Sequence, residues 1–274
     1  MVYRWLDIGT AKPSAAVRAQ VPHHLIDVVE PNDAYSAGRF ARDAAAAIRE
    51  IGARGRVPLL VGGTLLYLRA LRDGLAHLPR ADARVRSRLD AEAAELGWAA
   101  LHARLRTLDP VTAARVAPAD RQRIQRALEV YELTGRPLSE LQRSATAVAG
   151  PEILTFALVP GERAALAARI ERRFDAMVEA GFVAEVQKLK TRGDLTAEMP
   201  ALRAVGYRQI WMYLEQHYAW PEARRGAVTA TRQLAKRQLT WLRSDTRCER
   251  LTAFGAGLAE YLTERVAQLR AGAV

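Results

Sequence analysis

The chain has 274 residues, half of them hydrophobic, with 41 Lys and Arg against 30 Asp and Glu, a formal net charge of +11 and a pI of about 10.3. That length can bury a sizeable core in one large or two smaller domains. The single cysteine, Cys248, excludes an internal disulfide framework and a four-cysteine zinc site and fits a reducing compartment. No apolar stretch has signal-peptide or membrane-spanning length, so the expected protein is cytoplasmic, with no membrane partner. The excess of positive charge suits a polyanion, and genome base composition is the other possible source of so many arginines.

Residues 25–29 and 57–61 read as short buried strands. Between them, Phe40, Ala44, Ala47, Ile48 and Ile51 fall at helical spacing and predict a helix over 36–53, closed by Gly52 and Gly55. Strand, helix, strand implies a parallel pair joined by a crossover. The run Pro58-Leu59-Leu60-Val61 ends abruptly in Gly62-Gly63-Thr64, and a periodic segment follows from Leu65. This predicts a tight turn and a helix start. Two glycines let a phosphate or nucleotide approach the backbone. Thr64 is placed to cap the helix and point its hydroxyl at whatever approaches. Plain loop closure is the other use of such a turn.

From Leu78-Pro79 to Gly150-Pro151 no strand pattern occurs. Residues 85–96, 98–105, 110–114 and 121–133 read as helices, punctuated by Gly97, Pro110, Pro118, Gly135 and Pro137. A helical block between two strands predicts a subdomain over 79–150 inserted into a core of 1–78 and 151–274. The small residues of 144–150 read as a hinge. Residues 153–159 are a third strand candidate, and the remainder is mostly helical.

On the helix around 122–131, Ile124, Ala127, Leu128 and Tyr131 share one face, and Gln122, Arg123 and Arg126 project from another. Glutamine beside arginine suits phosphates and base edges, with a solvated face as the alternative. Nearer the C-terminus, Thr229, Arg232, Gln233, Lys236, Thr240 and Arg243 form one stripe. Val228, Thr231, Ala235, Leu239 and Leu242 form another, which would bury. Trp241 lies off the basic stripe and reads as packing. Arg203 and Arg208 bracket Val205-Gly206-Tyr207, and a sharp turn at Gly206 would bring their guanidiniums together to bind phosphate. Arg169 and Arg173 are one turn apart, and Asp175 is a ready partner for a neighbouring arginine. Adjacent His23 and His24 would face opposite ways on a strand, which argues against a two-histidine metal site and for structural histidines. Lys12 is open between a phosphate contact and a turn residue. Arg86, by itself, reads as a solvated helical residue.

In chain order, Val2-Tyr3-Arg4-Trp5-Leu6-Asp7-Ile8-Gly9-Thr10-Ala11-Lys12-Pro13, His23-His24-Leu25-Ile26-Asp27, Tyr35-Ser36-Ala37 with Phe40, the Gly62-Gly63-Thr64 turn, Asp120 to Val130, Arg203 to Gln209 and Lys236 to Leu242 resemble the bacterial tRNA dimethylallyltransferase (tRNA isopentenyltransferase) family. The resemblance runs from Val2 to about Leu242. It implies an α/β fold with a P-loop-NTPase-like parallel sheet core and a helical insertion subdomain that contacts tRNA. The implied reaction moves a dimethylallyl group from dimethylallyl diphosphate to N6 of adenine 37, beside the anticodon of tRNAs that read codons beginning with U, giving N6-isopentenyladenosine. The implied partners are a tRNA anticodon stem-loop, dimethylallyl diphosphate and Mg²⁺, acting on a monomer. Thr64 is the implied catalytic residue and also a tRNA contact, and Arg173 is the implied ligand of the leaving diphosphate. The other implied tRNA contacts are Arg86; Gln122, Arg123, Ile124, Gln125 and Arg126; Arg203, Ala204, Val205, Gly206, Tyr207 and Arg208; and Lys236, Arg237, Gln238, Leu239, Thr240, Trp241, Leu242 and Arg243.

The resemblance also implies a phosphate- and nucleotide-binding loop of the G-x-x-x-x-G-K-[ST] type and an aspartate base before the Val2-Tyr3-Arg4 segment. No Gly-Lys-Ser or Gly-Lys-Thr occurs in the sequence. The expectation is therefore a mis-called start or a truncated gene, with N-terminal strands missing from the sheet, apolar edges left exposed and little activity in this chain alone. A non-catalytic tRNA-binding remnant and an adenylate isopentenyltransferase are the alternatives. The helical block from 79 to 150 disfavours the latter, because a free nucleotide needs no anticodon clamp.

Overall fold

The structure is a computed structural model and describes residues 1–76, 78–144 and 150–270. The chain divides into two compact units, Met1–Leu71 with Pro151–Val274, and Arg72–Gly150. The hinge read over 144–150 falls on residues 145–149, which lie outside the described residues.

Helices α1 (Ala15–Gln20) and α2 (Ala37–Ala53) each start at a serine whose hydroxyl accepts a backbone N–H, from Val17 onto Ser14 and from Arg39 onto Ser36. Helix α2 follows its predicted span. Its Phe40 stacks on Tyr67 of α3 (Leu65–Asp73) with ring centroids 4.8 Å apart.

The second unit holds α4 (Ala83–Leu96), α5 (Trp98–Leu108), α6 (Pro110–Ala113), α7 (Arg121–Thr134) and α8 (Leu138–Ser144). Asp82, Asp109 and Asp120 cap α4, α6 and α7 through their carboxylates. Leu89, Leu101, Leu105, Ile124, Leu128 and Val130 meet in its core. Helix α8 was not predicted, because seven residues are too few for the apolar period to stand out.

Back in the first unit, α9 (Arg163–Glu179), α10 (Phe182–Thr191), α11 (Tyr207–Leu214) and α12 (Trp220–Ser244) enclose Leu6, Phe174, Phe182, Val186, Leu202, Tyr207 and Ile210. Strand β1 (Thr155–Val159) matches the third strand candidate. It pairs in parallel with β2 (Cys248–Thr252), from Thr155 opposite Cys248 to Val159 opposite Thr252. Helix α13 (Leu258–Arg270) follows. No helix among the described residues is long and apolar enough to cross a membrane.

The other two predicted strands do not form. Residues 25–29 contribute only an isolated parallel bridge, Tyr3 opposite Val29, and 57–61 pair with nothing among the described residues. Leu59 is 75% exposed and Val61 87% exposed, so the expected buried run is a solvent-facing one. A parallel strand is stabilised by ladders on its edges and by helices over its faces. Without those neighbours the apolar run has nothing to zip against. His23 and His24 likewise sit in irregular backbone and are exposed, with His23 Nδ1 2.7 Å from the Val21 carbonyl oxygen.

Candidate active site and nucleic-acid contacts

The glycine turn after residue 61 meets α12 directly. Gln238 Nε2 donates to the Gly63 carbonyl at 2.9 Å, and a Cβ on Gly63 would stand 2.3 Å from that nitrogen. A side chain there would displace the end of the Gln238 side chain and its bond to the turn. Thr64 is exposed, and its carbonyl accepts the Tyr67 N–H at 2.8 Å. Its hydroxyl makes no hydrogen bond among the described residues, so the predicted side-chain cap is absent and the hydroxyl is open to solvent. Along α12, Lys236, Arg237, Thr240, Trp241 and Arg243 are exposed, whereas Gln238, Leu239 and Leu242 are partly buried. The Arg69 guanidinium lies 5.9 Å from the centre of the Trp241 ring. The apolar stripe of α12 turns inward as predicted, with Val228 buried and Ala235 packed on the core.

The loop before α11 is anchored from beneath. Tyr207 is fully buried, and its hydroxyl donates to Glu185 Oε1 at 2.5 Å. Glu185 Oε2 also accepts the N–H groups of Asp7 and Ile8 at 3.0 and 2.7 Å, which binds the N-terminal loop to the same carboxylate. Burial, reinforced by Glu185, pushes the Tyr207 hydroxyl far above the usual phenol range. The Tyr207 side chain, named as a tRNA contact, is therefore core structure. Arg203 and Arg208 are exposed, and both reach Glu198, at 3.5 and 3.3 Å, so the two guanidiniums do converge. Ala204 and Val205 are partly buried, and Gly206 is buried at a φ of 91°.

On α9, Arg173 is exposed and has no ion pair among the described residues. Asp175 is taken by Arg224 through two hydrogen bonds of 2.8 and 2.7 Å. The Lys12 side chain is nearly enclosed and holds the carboxylates of Asp7 and Asp27 together with the Tyr3 carbonyl. Arg18 reaches the other Asp27 oxygen at 3.2 Å. The Asp27 carboxyl, pushed up by burial, is pulled net below its ordinary range by hydrogen bonds from Lys12 and Arg18. Lys12 is a local ion-pair centre here.

In the second unit, Ile124 is wholly buried, so its side chain, also named as a tRNA contact, packs in the core. Gln122 is exposed and makes no hydrogen bond among the described residues. Arg123 is exposed and bonds the Asp120 carboxylate, and Gln125 Nε2 donates to Asp90 Oδ1 at 2.7 Å. Arg126 donates through Nη1 to Glu129 Oε2 at 2.7 Å and through Nη2 to the Pro79 carbonyl at 2.8 Å. Arg86 makes a two-pronged bond to Glu129, Nε to Oε1 at 2.8 Å and Nη2 to Oε2 at 3.1 Å. Glu129 is the first acidic residue after Arg123 and Arg126 in the sequence, and the structure adds that it joins Arg126 to Arg86 of α4.

Among the described residues no three His, Cys, Asp or Glu side chains converge to hold a metal. The turn at Gly62–Thr64 offers one hydroxyl and backbone only. The donor set for the Mg²⁺ implied by the sequence resemblance is not assembled by these residues.

The IPP transferase family profile matches residues 1–245. A tRNA dimethylallyltransferase from Thiobacillus denitrificans is 60% identical over 245 residues, covering 89% of this chain and 78% of the relative. One from Burkholderia thailandensis is 59% identical over 248 residues, covering 89% and 76%. Among solved structures, the full-length tRNA isopentenylpyrophosphate transferase from Bacillus halodurans superposes with a TM-score of 0.65 at 36% identity, over 99% of this chain and 84% of that one. A eukaryotic dimethylallyltransferase acting on tRNA gives a TM-score of 0.77 at 25% identity, over 99% and 71%.

Proposed function

The chain belongs to the IPP transferase family, and from that premise we propose that it serves the transfer of a dimethylallyl group from dimethylallyl diphosphate to N6 of adenine 37, beside the anticodon of tRNAs reading codons that begin with U. The observation that carries this reading is the 60% identity to a tRNA dimethylallyltransferase over 245 residues. The contact between Gln238 and Gly63 supports it, because it joins the exposed basic stripe of α12 to the glycine turn expected to face the donor.

The chemistry sets three requirements. A departing diphosphate needs cations close to its oxygens, and Arg173 is exposed and unpaired among the described residues. The adenine must leave its stack to reach a pocket. Lys236, Arg237 and Arg243 in the first unit, and Arg86, Gln122, Arg123 and Arg126 in the second, are the side chains proposed to grip the anticodon stem-loop while it does. Arg203 and Arg208 are proposed to take a phosphate in place of Glu198. The amine must be oriented and must lose a proton, and the free hydroxyl of Thr64 is proposed to orient it. In the P-loop-like core read from the sequence, a glycine-flanked lysine would hold the phosphates, and no such lysine is present. Residues 1–274 alone are therefore proposed to bind tRNA and to transfer dimethylallyl poorly.

The test is a transfer assay with dimethylallyl diphosphate, offering tRNA and AMP as alternative acceptors, alongside binding of an anticodon stem-loop. Stem-loop binding with no transfer to AMP is expected. Transfer to AMP without RNA binding would replace this reading with that of an adenylate prenyltransferase.

A further inference from the structure

Glu129 is a buried charge with 0% exposure, and four donors converge on it. Its Oε1 accepts the Asp82 N–H at 2.9 Å and Arg86 Nε at 2.8 Å. Its Oε2 accepts Arg86 Nη2 at 3.1 Å and Arg126 Nη1 at 2.7 Å. Asp82 caps α4, Arg86 lies one turn further on, and Arg126 is on α7. One carboxylate thus fixes two guanidiniums on two helices. The Arg86 and Arg126 side chains nevertheless keep 41% and 28% of their surface exposed. Each guanidinium carries five N–H donors, and each gives two of its nitrogens to these bonds.

We propose that Glu129 is a positioning residue for RNA: it locks Arg86 and Arg126 into one partly exposed arrangement from which their remaining N–H groups meet phosphate oxygens. This deepens the tRNA reading above and rests on it. A free arginine has side-chain rotamer freedom to lose on binding. A two-pronged bond to a buried carboxylate removes much of that freedom before RNA arrives. The sign of the effect separates positioning from simple charge. Removing the carboxylate makes the surface more positive, which by itself would strengthen RNA binding. Loss of positioning weakens it.

The experiment measures binding of an anticodon stem-loop across a salt series, with melting of each variant followed in parallel. The variants are Glu129→Gln, Arg86→Lys, Arg86→Ala with Arg126→Ala, and that pair combined with Glu129→Gln. Glu129→Gln is expected to bind on the order of ten-fold more weakly, with a salt slope shallower by roughly one charge equivalent. Arg86→Lys keeps the charge but loses the fork, and it should weaken binding by a similar factor. The triple variant should be no weaker than the double, because Glu129 acts only through the arginines. Folded Glu129→Gln binding as tightly as wild type, or more tightly, while the double variant is weakened, overturns the positioning role alone. A double variant that binds like wild type overturns the RNA reading of these arginines and the proposal with it. Should Glu129→Gln fail to fold, Arg86→Lys decides, and wild-type affinity there overturns the proposal.

Discussion

Tyr207 and Glu185 share a 2.5 Å hydrogen bond that ties the turn carrying Arg203 and Arg208 to the loop of Asp7 and Ile8. The ring is fully buried against Phe182, with centroids 4.8 Å apart. A hydrogen bond to a charged acceptor contributes about 1.5–3 kcal/mol. Tyr207→Phe keeps the ring and removes that bond, so it should lower unfolding stability by about that amount. Urea denaturation checks it. A loss below about 0.5 kcal/mol would show that the backbone N–H groups alone satisfy Glu185.

Gly206, next to Tyr207, sits at a φ of 91°, and a Cβ there would stand 2.8 Å from Phe182 Cε1. The backbone strain of a non-glycine residue in that region costs about 1–3 kcal/mol, and the overlap with a buried ring adds to it. Gly206→Ala should therefore be more destabilising than Tyr207→Phe, as read from the shift in denaturation midpoint. Equal or smaller destabilisation would mean that the loop relaxes freely around this residue.

The longer helices were legible in the sequence because each carries its own apolar period. Phe40, Ala44, Ala47, Ile48 and Ile51 mark α2, and Ile124, Ala127 and Leu128 mark the buried face of α7. The strands were less legible. Residues 57–61 are as apolar as any buried strand, but a sheet is a property of neighbours, and none lies beside them among the described residues. Strand β2, Cys-Glu-Arg-Leu-Thr, was invisible for the opposite reason: its residues alternate weakly, and only pairing with β1 defines it. At the site, the exposed arginines were found by residue type. The pairing of Glu129 with Arg126, three residues away, lies within one helix turn, whereas its pairing with Arg86, 43 residues away, leaves no local pattern.

Thr64 is exposed and its hydroxyl is free of hydrogen bonds among the described residues. Removing it should leave stability within about 0.5 kcal/mol of wild type, as for ordinary surface changes. In an active enzyme carrying this segment, Thr64→Ala should slow dimethylallyl transfer several-fold at unchanged melting temperature. A sharp drop in melting temperature with turnover per folded molecule intact would make Thr64 a structural residue only.

Arg123 and Arg126 stand one turn apart on α7, yet their environments predict opposite balances of stability and binding. The Arg123 side chain is 74% exposed and among the described residues bonds only the capping Asp120, so Arg123→Ala should change stability by less than about 0.5 kcal/mol. If it meets a tRNA phosphate, it should also reduce the slope of log affinity against log salt by roughly one charge equivalent. Arg126→Ala leaves the buried Glu129 with Arg86 as its one charged partner, and an underpaired buried carboxylate destabilises by about 1–3 kcal/mol. The loss should also depend on pH. Burial pushes the Glu129 carboxyl up, but hydrogen bonds from Arg86 and Arg126 carry it net below its ordinary value. A carboxyl lowered on folding adds stability that is present above its unfolded pKa, about 4.3, and is lost as pH falls through the folded value. The gap between wild type and Arg126→Ala should therefore be full at neutral pH and narrow in acid, as pH falls below the unfolded value. Denaturation midpoints for the two proteins between pH 3 and 7 would show this. A gap that stays constant across that range would mean that Arg126 stabilises α7 by packing its stem rather than by holding the Glu129 charge.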